Sequence, residues 1–317
     1  MSIAIRHPGS GEAADLRNIW KTVFGGSDEE IFFNNYYSAE YSIIAELDGS
    51  LAAAGYILPI GSLIIDERSI PCAMIYAVAT LPGHRSRGLG KSVVNELISS
   101  GRAAGYPAIV LCPSEDSLFE YYSVRTDLRD WFYVSETVTG APQKKNSVVN
   151  LSILDPDEYA RLRGSLLSDV PHIQMDARAL SYQNMLCHHY GGGMYLAAAE
   201  NGSSCLTVEL QPDGEVLIKE LIMPDNKISI SLTSDILSAI ASMYPAGRYV
   251  VRSPVSRIGA SFTNGKNGVN DDCKYLNPNL SESVFRVRRF GMLSAADDLF
   301  NEEYAISSAP WYGLAFD

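Results

Sequence analysis

A run of cations and glycines is the part of this sequence whose residue types point most directly to chemistry. It reads Arg85-Ser86-Arg87-Gly88-Leu89-Gly90, with Lys91 next, and it stands between an apolar stretch and an amphipathic helical pattern. Glycines at the start of a helix let backbone N–H groups approach an anion closely, and the helix N-terminus adds positive potential. The run therefore predicts a phosphate-binding loop, although a glycine turn that only joins two elements would contain the same glycines.

Two well-known phosphate motifs do not fit this run. The Walker A pattern needs a lysine directly after its second glycine, but Leu89 follows Gly88 here. The dinucleotide fingerprint needs a third glycine, which the stretch from Gly88 to Val93 lacks, and no ribose-binding acid follows at the required distance. A nucleotide-binding protein is therefore a hypothesis that rests on the loop alone.

The loop has a definite place in an alternating order of strands and helices. Periodicity predicts the order β, α, α, β, β, β, loop, α, β, α, β over residues 1–138. Asp48-Gly49 marks a hairpin between strands predicted at 42–46 and 51–58, because this dipeptide tolerates the positive φ angles of a tight turn. The strand Cys72–Thr80 leads into the loop, the strand Ala108–Cys112 follows the next helix, and a further helix begins near Glu115. The loop is therefore predicted to join a buried strand to a helix.

A polar stretch that contains Pro142 divides the chain near residue 140. A length of 317 residues favours two domains, which we place at residues 1–139 and 140–317. The order of elements then partly repeats, with strands predicted at 150–154, 194–199, 205–210 and 215–223 and helices at 156–167, 177–190 and 231–244. The second half is interpreted as a diverged copy of the first. Its segment Asp225–Ser231 has no glycine and one cation, so this copy is predicted not to bind phosphate.

The composition excludes several classes of protein. Asp and Glu number 37 against 25 Lys and Arg, a net charge of −12, which argues against a nucleic-acid partner because that affinity comes mostly from clustered cations. The five cysteines form no Cys-x-x-Cys pair, so no disulfide framework and no metal site are predicted. No signal peptide and no membrane span are expected, since no stretch approaches about 18 apolar residues. A cytoplasmic protein without a membrane partner is expected, and a homodimer is possible.

The loop and its surroundings resemble the GNAT superfamily of acetyl-CoA-dependent N-acetyltransferases. In that family Arg/Gln-x-x-Gly-x-Gly/Ala follows a strand that ends in Val-x-Pro-like residues, and here Val78-Ala79-Thr80-Leu81-Pro82 precedes Arg85-x-x-Gly88-x-Gly90. The resemblance covers residues 1–138 and implies an α/β (α+β) fold. Each of the two GNAT-like domains would have a mixed, mostly antiparallel central sheet flanked by helices, and the second would be degenerate.

The resemblance also implies the cofactor and the residues that hold it. Acetyl-CoA would be the acyl donor, without a metal. Backbone groups of one strand would hold the pantetheine, the loop would hold the pyrophosphate, and the end of the next strand would admit the thioester. The residues implied are Val78, Ala79, Thr80, Arg85, Ser86, Arg87, Gly88, Leu89, Gly90, Lys91 and Ser114.

The chemistry implied is attack of a neutral amine on a thioester, with departure of a thiolate. Many GNAT enzymes place a tyrosine in a pattern like Phe-Tyr-Glu-Lys-x-Gly-Phe as the acid that protonates this thiolate. The corresponding stretch here is Leu118–Val124, which makes Tyr122 the first candidate and Tyr121 the second. Arg125-Thr126-Asp127 stands where the family has Gly-Phe, so the alignment of this stretch with the family pattern can be offset by one residue. Packing on the helix is the alternative role for either tyrosine.

A general base is not evident, because the strand Cys72–Thr80 contains no Asp or Glu. The candidates are Tyr76, His84, Glu46, Glu115, Asp116 and Asp317. Asp317 ends an apolar tail that is expected to be docked, and larger tandem GNAT proteins of the enhanced intracellular survival type bring their C-terminal carboxylate to the active site. The acceptor would be a small-molecule or peptide amine, and the acidic net charge favours a cationic one.

Two further expectations concern the acceptor and the function class. Aromatic residues on the first two helices would either form one wall of the acceptor site or pack in the core; they are Trp20, Phe32, Phe33, Tyr36 and Tyr37. The main prediction is an N-acetyltransferase. The alternative is a non-catalytic acyl-CoA-binding regulatory or scaffold protein, because the strand before the loop has no carboxylate and the segment after Tyr122 is altered.

Overall fold

The computed structural model describes residues 2–26, 28–142, 148–200, 202–224, 230–255, 283–295 and 310–316. One mixed sheet runs through these residues. Its strands are β1 Ile3–Arg6, β2 Ser42–Leu47, β3 Ser50–Ile65, β4 Arg68–Thr80, β5 Ala108–Leu111, β6 Arg129–Gly140, β7 Asn150–Ile153, β8 His172–Met175, β9 Gly193–Ala199, β10 Gly202–Leu210, β11 Val216–Ile222, β12 Arg248–Ser253 and β13 Val284–Ser294. The helices are α1 Ala13–Val23, α2 Glu29–Asn35, α3 Leu89–Ala103, α4 Asp116–Arg125, α5 Pro156–Leu166, α6 Ala177–His189 and α7 Ile230–Met243.

The strand order is β1-β2-β3-β4-β5-β13-β6-β12-β11-β10-β9-β7, and β8 pairs with β3 outside this path. The pairs β4 with β5 and β11 with β12 are parallel, and the neighbours on either side of them are antiparallel. The sheet therefore shows the same pattern of pairings when it is read from either edge. The strand β13 lies between β5 and β6, so the sheet is continuous across the predicted boundary at residues 139 and 140.

Helices cover both faces of the sheet and divide its apolar residues into three clusters. One cluster lies under α3 and α4, and another lies under α7. The third is the largest and joins α1 and α2 to α5, α6 and residues 310–316. The predicted fold class is thus confirmed as a mixed α/β fold with a large sheet flanked by helices. Apart from the hairpin of β3 and β4, the elements expected in each half are also present within a few residues of their predicted bounds, and the tail Pro310–Phe316 is docked as expected.

The hairpin of β3 and β4 is longer than the sequence pattern indicates. Its strands were expected to cover 51–58 and 72–80, but they extend to a turn at Asp66, and the added arm pairs with β8, which the pattern does not predict. Pro59 and Gly61 interrupt the alternation of the arm, which explains why it does not read as a strand. Gly61 has a φ of 124°, and a Cβ there would lie 2.1 Å from the Gln174 carbonyl oxygen. The close approach of β8 therefore requires a glycine.

Candidate active site

The strand β4 contains a β-bulge just before the predicted loop. Its pairing with β3 runs to Tyr76 and resumes at Ala79, and the two residues between, Ala77 and Val78, stand opposite Gly55 alone. Ala77 has a positive φ of 47°. A bulge interrupts the ladder and turns neighbouring side chains to the same face. Tyr76 and Ala77 accordingly both pack on the α1 and α2 side of the sheet, whereas Val78 packs on the α3 side.

A cavity of about 250 Å³ opens beside this bulge. The parallel pairing of β4 with β5 ends at Ile75 and Leu111, and beyond these residues the two strands separate. The lining is formed by residues of both strands, of α4, of the α1 to α2 region and of the tail: Trp20, Phe24, Asp28, Met74, Ile75, Tyr76, Ala77, Val78, Leu111, Cys112, Pro113, Ser114, Leu118, Tyr122 and Phe316. The predicted site residues Val78, Ser114 and Tyr122 thus meet at one cavity.

Tyr122 faces this cavity from α4, and Tyr121 does not line it. The Tyr122 side chain is buried, and burial, with a smaller contribution from Tyr121, raises its pKa to about 12. Tyr121 packs edge-on against Tyr122 with 5.2 Å between ring centroids, and the guanidinium of Arg125 lies 4.5 Å from the Tyr121 ring. A side chain at position 90 would come within 3.9 Å of the Tyr121 hydroxyl. Tyr121 therefore stands next to the loop, and Tyr122 is the candidate acid that the geometry favours.

The predicted phosphate loop leads from β4 to the N-terminus of α3. Gly88 precedes the helix with a φ of 79°, and nothing lies within 4 Å of where its Cβ would be. Ser86 also has a positive φ, of 63°. No acidic residue lies in the first turn of α3. The exposed loop residues with positive charge are Arg85, Arg87 and Lys91. Open space, cations and the unpaired N–H groups of a helix start form an arrangement that fits a phosphate.

The other residues implied for the donor site have separate places in the structure. Ala79 and Thr80 remain paired with Ala54 and Ala53 of β3, on the loop side of the bulge. The Arg85 Nε atom donates to the Thr80 carbonyl oxygen at 3.3 Å, which ties the loop back to the strand. Leu89 is buried under α3 and anchors the helix start. These contacts link the loop to the cavity wall through one continuous stretch of backbone.

The far side of the cavity combines one carboxylate with aromatic rings. Asp28 is the one charged residue in the described lining, and it stands there with Trp20, Phe24, Tyr76 and Phe316. The indole Nε1 of Trp20 is buried and has no hydrogen-bond partner within the described ranges. Sequence reasoning named Trp20 but missed Asp28 and Phe316, because only the fold brings the start of α2 and the tail to this wall.

The remaining aromatic residues of α1 and α2 pack in the core, which was one of the two roles expected for them. Phe32, Phe33 and Tyr36 are buried in the large apolar cluster, and none of them lines the cavity. The ring of Phe32 stacks on Trp20 with 4.9 Å between centroids. These rings therefore support the cavity wall from behind, and Tyr37 packs partly buried against the same cluster.

The candidates for a general base lie in different places. Tyr76 lines the cavity, and its hydroxyl lies 3.4 Å from that of Tyr182. Burial, followed by the neighbouring Tyr182, raises the pKa of Tyr76 well above the ordinary value for tyrosine. Glu46 is paired with Arg6 on β1, away from the cavity. His84 belongs to the short turn before the loop.

The acidic candidates near α4 and at the C-terminus complete this set. Glu115 and Asp116 begin α4, and neither lines the cavity. Asp317 lies outside the described residues. Its neighbour Phe316 is buried and lines the cavity.

Comparison with known proteins finds a family model that matches the first part of the chain. Residues 4–124, which contain the bulge, the loop and most of α4, match the model of the acetyltransferase (GNAT) domain. This stretch is thus similar to a GNAT domain. A sequence comparison with curated proteins finds no match.

Solved structures share the fold of nearly the whole chain. A GCN5-related N-acetyltransferase from Anabaena variabilis ATCC 29413 has a TM-score of 0.64 at 16% identity, over 92% of this chain and 72% of that one. A GCN5-related N-acetyltransferase from Kribbella flavida has a TM-score of 0.61 at 14% identity, over 94% and 72%. Eis1 from Mycobacterium abscessus has a TM-score of 0.56 at 11% identity, over 93% and 73%. At these identities the likeness shows a shared fold.

The described residues also bear on metal binding, membrane crossing and disulfide formation. No group of three or more His, Cys, Asp or Glu side chains within the described ranges is arranged to hold a metal ion. No helix in that part of the chain combines the length and apolar character that a membrane crossing requires. The described cysteines, Cys72, Cys112, Cys187 and Cys205, form no disulfide with one another, and Cys273 lies outside the described residues.

Proposed function

We propose that the chain is an acyl-CoA-dependent N-acyltransferase that transfers acetyl from acetyl-CoA to a primary amine by direct attack. The observation that carries this proposal is the composition of the cavity between β4 and β5. Tyr122 on α4 and Asp28, at the start of α2, both line this cavity together with Trp20. A hydroxyl that can protonate a thiolate and a carboxylate that can attract an amine thus face one space in a GNAT domain.

The donor side would be held by the loop and by the strand that precedes it. Gly88 leaves open space for an anion at the start of α3, and Arg85, Arg87 and Lys91 supply positive charge around it. These residues would take the pyrophosphate of acetyl-CoA. The backbone from Val78 to Thr80 would lie along the pantetheine, and Ser114 stands where β5 separates from β4, at the place proposed for the thioester.

The proposed reaction requires balanced proton transfers. The acceptor's ammonium group first releases one proton and becomes a neutral amine. The neutral nitrogen then forms a bond to the carbonyl carbon, the C–S bond breaks, the nitrogen loses its second proton and the sulfur gains one. Tyr122 is protonated at neutral pH, because burial first and Tyr121 second raise its pKa to about 12, and it would supply the proton to sulfur. The bulge at Ala77 and Val78, which stand outside the pairing with β3, is where backbone N–H groups would stabilise the developing oxyanion.

The acceptor is proposed to be a cationic primary amine, on a small molecule or a peptide. Asp28 would attract the ammonium group, and the rings of Trp20, Phe24 and Tyr76 would add cation–π attraction and apolar contact. Asp317 is kept as the proposed base for the amine proton. This proposal is supported by Phe316, one residue before Asp317, which lines the cavity.

We also propose that the chain consists of two GNAT-like copies, of which the second has lost the donor site. Support comes from the sheet, which has the same pairings from either edge. The strands β4 and β11 also each contain one extra residue next to a parallel partner. The segment Asp225–Ser229, which would correspond to most of the loop, lies outside the described residues, and its sequence has no glycine.

The proposed function is tested first by binding and then by turnover. Acetyl-CoA should raise the melting temperature of the native chain by mass action, and Gly88→Glu should abolish the rise because it places a negative charge and a strained backbone in the loop. Gly105→Glu is the matched control. Gly105 also has a positive φ, of 92°, with nothing within 4 Å of its Cβ position, and it lies at the opposite end of α3.

An amine panel with detection of free CoA then decides between the two function classes. Release of CoA with a cationic amine, lost in Gly88→Glu and retained in Gly105→Glu, is the expected result. Binding without any release would favour the non-catalytic acyl-CoA-binding protein. No thermal shift in the native chain would refute both.

A further inference from the structure

The tail Pro310–Phe316 is held by a buried polar network in the second half of the chain. Glu220 on β11 accepts hydrogen bonds from the indole Nε1 of Trp311 at 2.7 Å and from the hydroxyl of Tyr159 at 2.7 Å. The Nε of Arg163 on α5 lies 2.9 and 3.0 Å from the two carboxylate oxygens. Tyr159, Arg163, Glu220 and Trp311 are all fully buried, and we call these four residues the anchor.

The anchor fixes the backbone of the tail as well as one side chain. The Nη2 of Arg163 donates to the Tyr312 carbonyl oxygen at 3.0 Å, and its Nη1 donates to the Ile173 carbonyl oxygen on β8 at 2.6 Å. The Ile173 amide in turn donates to the Trp311 carbonyl oxygen at 3.0 Å. Gly313 follows with a φ of 72°, and a Cβ there would lie 2.3 Å from the Glu220 Oε2 atom. The turn at Gly313 therefore requires a glycine, because a larger residue would clash with the Glu220 carboxylate.

The turn brings Phe316 to the acceptor side of the cavity. Its ring lies 4.9 Å from that of Tyr182 and 5.7 Å from that of Tyr76, both measured between centroids, and Phe316 is buried. Phe316 also lines the cavity that Asp28 and Trp20 line. A side chain of the tail thus forms part of a wall whose other residues belong to the GNAT domain.

We propose that Phe316 determines which amines fit the acceptor site and that Glu220, through Trp311, is the positioning residue for it. This inference rests on the proposed function, since it concerns the acceptor side of the same cavity. The buried carboxylate, which would be costly without partners, is satisfied mainly by groups that hold the tail. The second half therefore contributes to acceptor selection without binding the donor.

The test compares Phe316→Ala with Trp311→Phe in the full chain. Phe316→Ala enlarges the wall directly. Trp311→Phe keeps an aromatic ring but removes the Nε1–H that Glu220 accepts, so it should loosen the tail. Trp131→Phe is the matched control, because Trp131 is also fully buried and its Nε1 has no hydrogen-bond partner within the described residues.

The informative readout is selectivity, because a purely structural role would not change it. We expect both tail variants to raise kcat/KM for a bulky amine relative to a small amine by about tenfold, with acetyl-CoA affinity unchanged within about twofold. For the small amine, kcat/KM should fall in both tail variants, and this fall should come mainly from a higher KM. The control should keep the native ratio. A native ratio in Trp311→Phe, or a common loss of acetyl-CoA affinity in both tail variants, would overturn the inference.

A second measurement does not depend on turnover and separates this inference from the proposed function. Each protein is digested with a carboxypeptidase and its intact mass is then measured. Residues 311–317 should be removed from Trp311→Phe, whereas the native chain and Trp131→Phe should keep Phe316 and all residues before it. Equal resistance in all three proteins would show that Glu220 and Trp311 do not hold the tail. If the native chain fails to bind acetyl-CoA, the proposed function fails, and trimming still decides whether the anchor positions Phe316.

Discussion

The two halves of the sheet use the same backbone irregularity for opposite purposes. In β4 the bulge turns Tyr76 and Ala77 toward one face, and a cavity opens beside them. In β11 the pairing with β10 skips Lys219, and Val216, Ile218, Leu221 and Met223 then lie in the cluster under α7, which leaves Lys219 and Glu220 for the opposite face. Ala77 and Val78 at the first bulge are uncharged. At the second bulge the skipped residue, Lys219, and its neighbour Glu220 are both charged.

The two charged side chains of the second bulge, Lys219 and Glu220, are both buried against polar partners. Lys219 is fully buried and its Nζ lies 3.3 Å from the Glu209 carboxylate, which also accepts from Gln183 at 3.0 Å. Glu220 is satisfied by the anchor. Buried charges need partners that fill the space around them, so helices and tail close over β11. An uncharged bulge makes no such demand, and space for a ligand remains.

The largest expected effect comes from removing the buried carboxylate of Glu220 at the bulge of β11. Glu220→Ala would leave the guanidinium of Arg163 buried without its carboxylate, and we expect the free energy of unfolding to fall by about 3–5 kcal/mol. Chemical denaturation measures this loss. The control is Glu215→Ala, which removes an ion pair with the exposed Arg248 and should cost less than about 1 kcal/mol. Similar losses in the two variants would mean that the anchor contributes no more than a surface ion pair.

The cavity beside the bulge of β4 is tested through Tyr122, the proposed acid. Tyr122→Phe should lower kcat by about 10²-fold, because the leaving thiolate would lose its proton donor, while acetyl-CoA affinity stays near the native value. The same substitution at Tyr121 decides between the two candidates. Tyr121 lies outside the described lining, so Tyr121→Phe should change kcat by less than about threefold. A larger effect at Tyr121 would exchange the two roles.

A double substitution sharpens the comparison by asking whether the second bulge needs its charges. Lys219→Met alone should destabilise the chain, since it leaves the Glu209 carboxylate buried without a cation. Adding Glu209→Gln should restore most of the loss, to within about 1.5 kcal/mol of native, because a buried ion pair can be replaced by uncharged groups of similar volume. A double-mutant cycle of unfolding free energies measures the coupling. Additive losses would show that the pair is not the unit that fills this space.

The smallest expected effect is a pH dependence at the tail. His172 on β8 is buried beside the anchor, and burial first and Arg163 second lower its pKa in the folded chain. The unfolded chain therefore binds more protons near its ordinary pKa of about 6.5, so stability falls as the pH drops below that value. Melting temperatures at about pH 7.5 and pH 5.5 should differ more for the native chain than for His172→Gln. An equal difference would remove His172 from this account.

Local sequence signals predicted the elements and the loop well. Gly88 was expected at the start of a helix after a strand, and it lies there with a positive φ of 79°. Both features depend on residues close together in the chain, because glycine supplies the positive φ and the helix that follows supplies its own N-terminus. Tyr122 could be placed on a helix for the same reason, and its assignment as the acid came from the family resemblance.

The bulges could not be read from the sequence, because they depend on the partner strand. A one-residue excess in β4 exists only relative to β3, and the hydrophobic pattern of Cys72–Thr80 predicts a regular strand. The arm of β3 and β4 and the strand β8 were missed for a related reason. Gly61 interrupts the pattern locally, yet it is required by the approach of β8, which is more than 100 residues further along the chain.

The sequence by itself determined the order of elements over residues 1–138, the glycine-containing loop at the start of α3 and the likeness of residues 1–138 to a GNAT domain. Each of these depends on residue types at short spacing. Only the tertiary structure decided that Asp28 and Phe316 share a wall and that Glu220 holds Trp311, two residues 91 positions apart. Such contacts form because buried polar groups need partners, and the fold determines which distant residues are close enough to supply them.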